Sequence, residues 1–367
     1  MKLPELIGGA WLLGRGDAET GAENASALVR AGVRPAIFDV SCLLYRLLYA
    51  TAKEYCRAGS DESAAHLAAA DVIWDVADAC RSFSCAPVLA FDSIASYRKA
   101  LFPDYKSGRG GQKRTPEQEH MLMLKGAILK LLKGLYCPAY SIQSFCVYGY
   151  ESDDVIASLV LGLKMPRGLQ GPPFAGRVAI VSSDADLHQL VLDGVLWADV
   201  AKGALCGPSD LQRHTGVAPG DVVLAKCVGG CHSDAIPGVP GCGDKTVMEL
   251  LETRSPEVSL RKAREALASA KGAAIIERNF RLIRLPFEWS PPMPKLFLSE
   301  KTWPVPGVPE RIGAIMEANG VPVASRPFFH DVRSSARQDA LPSCAYVGRG
   351  GGIGSNDEAR NNENVKF

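Results

Sequence analysis

The chain has 367 residues, 47% of them hydrophobic, and a formal net charge of +1. That length suits one large domain or two ordinary ones, and the near-neutral charge excludes a global polycation, so any nucleic-acid affinity has to come from local patches. The 11 cysteines, odd in number and scattered, argue against a disulfide scaffold and for reduced thiols in a cytoplasm-like compartment.

Residues 1–34 are rich in Gly and Ala without a strong period, and read as an N-terminal extension with disorder in part. Their apolar run, 6–14, is too short to cross a membrane, and Pro4 and Glu5 interrupt a signal-peptide pattern. The expectation is a cytoplasmic protein with no membrane partner.

Folding signals begin at Pro35. Ala36, Ile37 and Phe38 form a short apolar run that ends in Asp39, and Leu43, Leu44, Leu47 and Leu48 then follow a helical period. Residues 67–83 repeat that period. Residues 87–91 read as a second buried strand, ending in Asp92. From Tyr97 to Arg114 the chain turns basic, with Arg98, Lys99, Lys106, Arg109, Lys113 and Arg114 against the single acid Asp104, and with Tyr97, Phe102 and Tyr105 interleaved. Pro116 opens a helix with Glu117 and Glu119 in its first turn.

Glu151, Asp153 and Asp154 crowd the start of an amphipathic helix carried by Val155, Ile156, Leu159 and Val160. Read alone, they are either a capped, solvated helix start or ligands for a hard cation. A Pro/Gly-rich loop spans 166–176, and residues 178–181 form a third short strand followed by Asp184 and Asp186. Strands alternating with helices predict an α/β fold, a mostly parallel central sheet flanked by helices, which binds ligands at the carboxyl ends of its strands. Asp39, Asp92, Asp184 and Asp186 all follow strand ends. So many carboxylates at one edge would repel strongly without a cation, which points to Mg²⁺ or Mn²⁺.

A second, helical unit begins near 206. Residues 233–246 form a Gly-rich hairpin with Gly238, Gly241, Gly243 and Lys245 before an apolar helix, which reads as a phosphate seat or a tight structural turn. Helical patterns recur near 273–285 and 308–319, with an extended connector at 286–306 between them. The tail at 331–367 is polar and Gly/Asn/Arg-rich, and is expected to be disordered.

The segments 97–109, 149–156, 183–187 and 233–246, with Asp39 and Phe91-Asp92, stand in an order that resembles the structure-specific 5′ nucleases. That family includes the 5′–3′ exonuclease domain of bacterial DNA polymerase I and phage-type flap endonucleases. The resemblance covers about 35–285, and no polymerase segment follows, so a stand-alone enzyme of phage or bacterial accessory type is expected. It implies a PIN-like catalytic domain at 35–205 with a basic helical arch at about 96–120. It also implies a helical subdomain at 206–330 with a helix–hairpin–helix (H3TH) at 233–246 that grips duplex DNA, in the family often with K⁺.

The resemblance implies two-metal hydrolysis of phosphodiesters with water as nucleophile. One Mg²⁺, replaceable by Mn²⁺, would be held by Asp39, Asp92, Glu151 and Asp153, with Asp154 as a further acid acting through waters. A second would be held by Asp184, Asp186 and Asp234, with Asp153 near both. Lys106 and Arg109 would share a helix face and contact the scissile phosphate. Arg98, Lys113 and Arg114 would be further backbone contacts, and Tyr105 would stack on a base. The expected partners are DNA with a 5′ flap or 5′ single-stranded end, RNA–DNA hybrids and a separate replicative polymerase, and the protein itself is expected to be a monomer.

There is one departure. The family usually has an acid where this chain has Cys231. Sulfur is a poor ligand for Mg²⁺, so the second ion would be weaker, prefer Mn²⁺, or need substrate. This keeps open a DNA-structure-binding protein with weakened or lost cleavage, or an RNase on the same fold. Cys227, Cys231, His232 and Cys242 fit no standard zinc finger, and His188 reads as structural.

Overall fold

The structure, a computed structural model, describes residues 33–319 apart from 84–85, 109–112, 165–176, 200–203, 253–260, 291, 297 and 299–313. The tail at 331–367, the loop at 166–176, most of the 1–34 extension and Arg109 therefore lie outside the described residues.

Each apolar run becomes a strand. β1 (Val33–Asp39), β2 (Ala86–Ala90), β3 (Gln143–Phe145), β4 (Arg177–Val181), β5 (Val195–Asp199) and β6 (Ala204–Cys206) form one sheet in the order β3–β2–β1–β4–β5–β6. All neighbours are parallel except β6 on β5. The alternation of side chains divides the core. Ala36, Phe38, Leu89, Ala179 and Val181 face one apolar layer, and Ile37, Val88, Val178 and Ile180 face the other. A sheet buried on both faces explains why its strands read as unbroken apolar runs rather than as alternating ones.

Helices α1 (Val40–Cys56), α2 (Asp61–Phe83), α4 (Pro116–Met123) and α5 (Lys125–Leu131) cover the first layer, and α6 (Ser152–Lys164) covers the second. The short α3 (Tyr97–Leu101) lies between β2 and α4. The α4 start is built as its sequence requires: Pro116 is in the first turn, and Thr115 and Gln118 form a reciprocal capping box. The helical unit follows with α7 (Pro208–Thr215), α8 (Val222–Gly229), α9 (Asp244–Glu252), α10 (Arg261–Ala268) and α11 (Ala270–Ile283). Between α8 and α9 a two-stranded hairpin pairs Gly230 with Pro237 and Cys231 with Ile236. Tyr105, Cys227, Cys231, Ile236, Leu282 and Ile283 share one apolar cluster, which joins the basic segment after α3 to this unit.

The chain leaves β1 toward β2 and β3 on one side, and β4 leads to β5 on the other. The carboxyl ends of β1 and β4 therefore flank the point where strand order reverses, the crevice in which open parallel sheets hold ligands.

One loop at that edge is tightly constrained. Gly149 has φ +82 and lies on the Tyr97 ring, so a Cβ there would collide with it. The Tyr97 ring itself stacks on Trp289 and meets Tyr150 edge-on. Gly149→Ala is expected to cost about 2–5 kcal/mol, from overpacking and a left-handed backbone combined. Urea unfolding checks it, and a loss under about 1 kcal/mol would mean that the loop relaxes freely.

Candidate active site

Four acids meet at the switch point, and backbone groups and serines fix the directions of two of them, Asp39 and Asp92. Asp39 caps α1: its Oδ1 accepts from the N–H of Ser41 (3.1 Å) and of Cys42 (3.3 Å), and its Oδ2 from the Ser182 hydroxyl (2.9 Å). Asp92 accepts from the Ser152 N–H (2.9 Å) at the start of α6, and from the Ser41 hydroxyl. The Ser152 hydroxyl donates to Asp39 (3.2 Å), so Ser41 and Ser152 each tie Asp39 to Asp92. Asp153 stands in the first turn of α6, and its carboxylate has no hydrogen-bond or ion-pair partner among the described residues. Glu151, just before α6, accepts from Lys106 Nζ (2.7 Å) and from the Tyr105 hydroxyl (3.0 Å).

The electrostatics follow from this crowding. Burial, and then the charge of Asp92, push the Asp39 carboxyl up to about 6. Burial, then Asp184 and Asp39, raise Asp153 well above the usual carboxylate range. Burial also pushes on Asp92, but the Ser152 and Ser41 hydrogen bonds outweigh it and hold Asp92 low. Glu151 is likewise held low against burial, by Lys106 and Arg98. An all-oxygen set with two carboxylates under mutual repulsion suits a hard divalent cation. Asp39, Asp92, Glu151 and Asp153 fit that group.

Asp184 links this set to a second one. It caps the 3₁₀ turn Ala185–Leu190 through the Asp186 N–H (2.8 Å), and its charge acts on both Asp39 and Asp153. Ligand atoms of Asp186, Cys231 and Asp234 lie within 4.8 Å of one another, the one such trio among the described residues. In the second set Lys226 Nζ donates to Asp186 Oδ1. With sulfur for one carboxylate and an ammonium already on another, this set does not fit a second Mg²⁺.

Several sequence expectations are corrected. Asp154 is fully buried and paired in bidentate fashion with Arg98, at 2.5 and 2.7 Å. It also accepts from the N–H of Phe287 (2.7 Å) and of Glu151 (3.1 Å), so its oxygens are committed and it is not placed as a ligand. Arg98 is 3% exposed and also donates to the Leu282 carbonyl (2.8 Å), so it is an internal tie and not a surface phosphate contact. Tyr105 is buried with its hydroxyl between Glu151 and Asp234 (3.0 and 3.4 Å), and no ring face is offered to a base. Lys106 lies in a turn with φ +59, not on a helix, and Arg109, its expected partner on a shared face, lies outside the described residues. Its N–H donates to the Asp234 carbonyl (2.8 Å), which points Nζ into the acid set.

Of the outer contacts, Lys113 is exposed and Arg114 Nε donates to the Tyr49 hydroxyl (2.7 Å). Gly238 lies flat on Gly229, which lets the hairpin close; its part is packing. Gly241 and Gly243 face open space, and Lys245 is exposed. Cys227 and Cys242 sit in separate apolar clusters, so the cysteines do not converge as zinc ligands would. Ser41, Ser152 and Ser182, which aim the carboxylates, went unnoticed in the sequence. So did Lys226, although a lone cation in the apolar helix Val222–Gly229 is a readable signal.

Fold and site together define an α/β domain with an acidic centre at its switch point. Residues 34–216 match the family described as 5′-3′ exonuclease, N-terminal resolvase-like domain, and through that domain the chain belongs to the structure-specific 5′ nucleases. A 5′-3′ exonuclease of Buchnera aphidicola is 30% identical over 200 residues, 53% of this chain and 63% of that protein. Bacillus subtilis DNA polymerase I is 30% identical over 210 residues, 53% of this chain and 22% of the polymerase. The match therefore spans less than two thirds of either relative. The flap endonuclease of bacteriophage T5, solved in a complex with DNA and metal ions, shares the fold at 17% identity and a TM-score of 0.51, covering 83% of this chain and 98% of that one.

Proposed function

We propose that the chain is a divalent-metal-dependent 5′ nuclease, acting on DNA as a 5′–3′ exonuclease and 5′-flap endonuclease. The observation that carries this reading is the convergence of Asp39, Asp92, Glu151 and Asp153 from three chain segments at the switch point, with Lys106 Nζ beside them. The relatives' names give the reaction class. A bound Mg²⁺, or Mn²⁺ in its place, supplies charge neutralisation and a lowered water pKa.

The chain's own residues supply the rest. Ser41, Ser152 and Ser182 hold Asp39 and Asp92 in one orientation, so ligand geometry exists before substrate arrives. Lys106 is poised to neutralise a phosphate oxygen once it leaves Glu151. Burial keeps the Tyr105 hydroxyl protonated, and it donates between the two acid sets. The open backbone of Gly241 and Gly243 with Lys245 offers a duplex phosphate seat, and the K⁺ of the resemblance belongs to the same reading. RNA–DNA hybrids as substrates, a separate polymerase partner, a monomeric state and a cytoplasmic setting are further parts of the proposal. Among the described residues, no helix is long and apolar enough to cross a membrane.

A labelled 5′-flap DNA tests the reading with Mg²⁺, Mn²⁺ or EDTA. The expected outcome is metal-dependent cleavage that Asp92→Ala abolishes. Cleavage in EDTA, or equal cleavage by Asp92→Ala, would remove the proposed centre. Tight binding with no cleavage in any metal would favour a DNA-structure-binding protein instead.

A further inference from the structure

Helix α8 is apolar at Val222, Val223, Leu224, Ala225, Cys227 and Val228, and carries one cation, Lys226. A lone lysine in such a helix is costly unless its charge is answered. Here it is answered by Asp186, with the lysine side chain 23% exposed and the aspartate 15%. Beside that pair stand Cys231 and Asp234, their ligand atoms within 4.8 Å of one another and of Asp186.

We infer that the Lys226 ammonium is the resident cation of this second acid set, so that the chain binds a single divalent ion, at Asp39, Asp92, Glu151 and Asp153. The inference rests on the nuclease reading above. Two features of this set point the same way. Cys231 removes an oxygen donor from the set and offers a soft sulfur that Mg²⁺ binds poorly. Lys226 then adds a fixed positive charge where an ion would otherwise be required. Either feature alone would leave a weakened site; together they leave fewer anions and an ammonium already inside.

The contrast with Lys106 sharpens this. Lys106 also touches an acid, but its partner Glu151 already faces Arg98 at 3.8 Å. Asp39, Asp92 and Asp153 of that set have no ion pair among the described residues, so the first set still needs a cation. The second set does not. A tethered ammonium also cannot dissociate, so neutralisation of the second set should not vary with metal concentration. Metal activation should then follow a single binding event.

The test counts ions. Mn²⁺ binding to the whole chain is followed by calorimetry and electron paramagnetic resonance, without DNA. One Mn²⁺ per chain with an isolated-ion spectrum is expected for the wild type. The double variant Lys226→Met/Cys231→Asp, which removes the ammonium and restores a carboxylate, should bind two with a spin-coupled spectrum. Two ions on the wild type, with Mn²⁺ or in a parallel Zn²⁺ titration, would overturn the inference and leave the nuclease reading standing. No ion on the wild type would overturn both. One ion on a folded double variant would also overturn it, because the second set would then be unable to hold an ion for reasons other than Lys226. If the double variant fails to fold, the wild-type count still decides.

Discussion

Arg98→Met is expected to lower the unfolding free energy by about 3–5 kcal/mol. The reason lies in what the change leaves behind. Asp154 is fully buried and its two oxygens take both guanidinium contacts, at 2.5 and 2.7 Å. Without Arg98 it keeps its N–H donors but has lost its counter-charge. The Leu282 carbonyl also loses its donor at 2.8 Å, and the Phe287 ring loses the guanidinium 4.8 Å from its centroid. Because these partners lie in α6, at the end of α11 and in the following connector, the loss loosens the helical unit from the catalytic one. Lysine at this position should not rescue, since it cannot make a bidentate pair. Asp154→Leu alone should cost a similar amount, by stranding the arginine. The double variant Arg98→Met/Asp154→Leu should recover much of the loss, because the interior no longer holds a lone charge. Urea unfolding of the four proteins measures this. A small loss for Arg98→Met, together with weaker DNA binding and a shallower salt dependence, would restore Arg98 as a phosphate contact.

The same residue shows where the sequence was legible and where it was not. Val33–Asp39, Ala86–Ala90 and Arg177–Val181 were visible because strands buried on both faces leave unbroken apolar runs, and their acids marked the functional edge. Gln143–Phe145 was missed because a three-residue polar edge strand has no such run. Val195–Asp199 had the run and still went unread, as did its short antiparallel neighbour at 204–206. Arg98 and Lys106 were counted alike as cations of one basic stretch. A charge count along the chain has no access to depth, and only the fold places Asp154 under the first and Glu151 beside the second. The spacing of Lys106 and Arg109 also predicts a helical Lys106, whereas its left-handed backbone is what directs it inward. The departure at Cys231 was visible in the sequence. Its coupling to Lys226 was not, because the lysine reaches Asp186, 40 residues away in the chain.

Asp153→Asn is expected to separate function from stability in opposite directions. A bound ion supplies several kcal/mol of charge stabilisation at the reacting phosphate, and at about 1.4 kcal/mol per tenfold, weakening its site should lower cleavage roughly 10³-fold. The metal-free protein should instead become more stable. Asp153 is raised by burial and by the charges of Asp184 and Asp39, so its ionised form opposes folding and a neutral amide relieves that. The pH dependence has the same sign. Asp39, raised from 3.8 to about 6, holds a proton in the folded state through a range where the unfolded chain has lost it. Stability in EDTA should therefore fall as pH rises across that window and stay low above it. Saturating Mg²⁺ should restore it at the upper end, by binding the folded state alone. Asp153→Asn should flatten the fall in EDTA and blunt the gain from Mg²⁺. Thermal melts at pH 4.5 and 7.5, with EDTA or Mg²⁺, give the four values needed. A variant less stable than the wild type in EDTA at pH 7.5 would mean that Asp153 supports the fold, and the acids at this sheet edge would have to be explained without a cation.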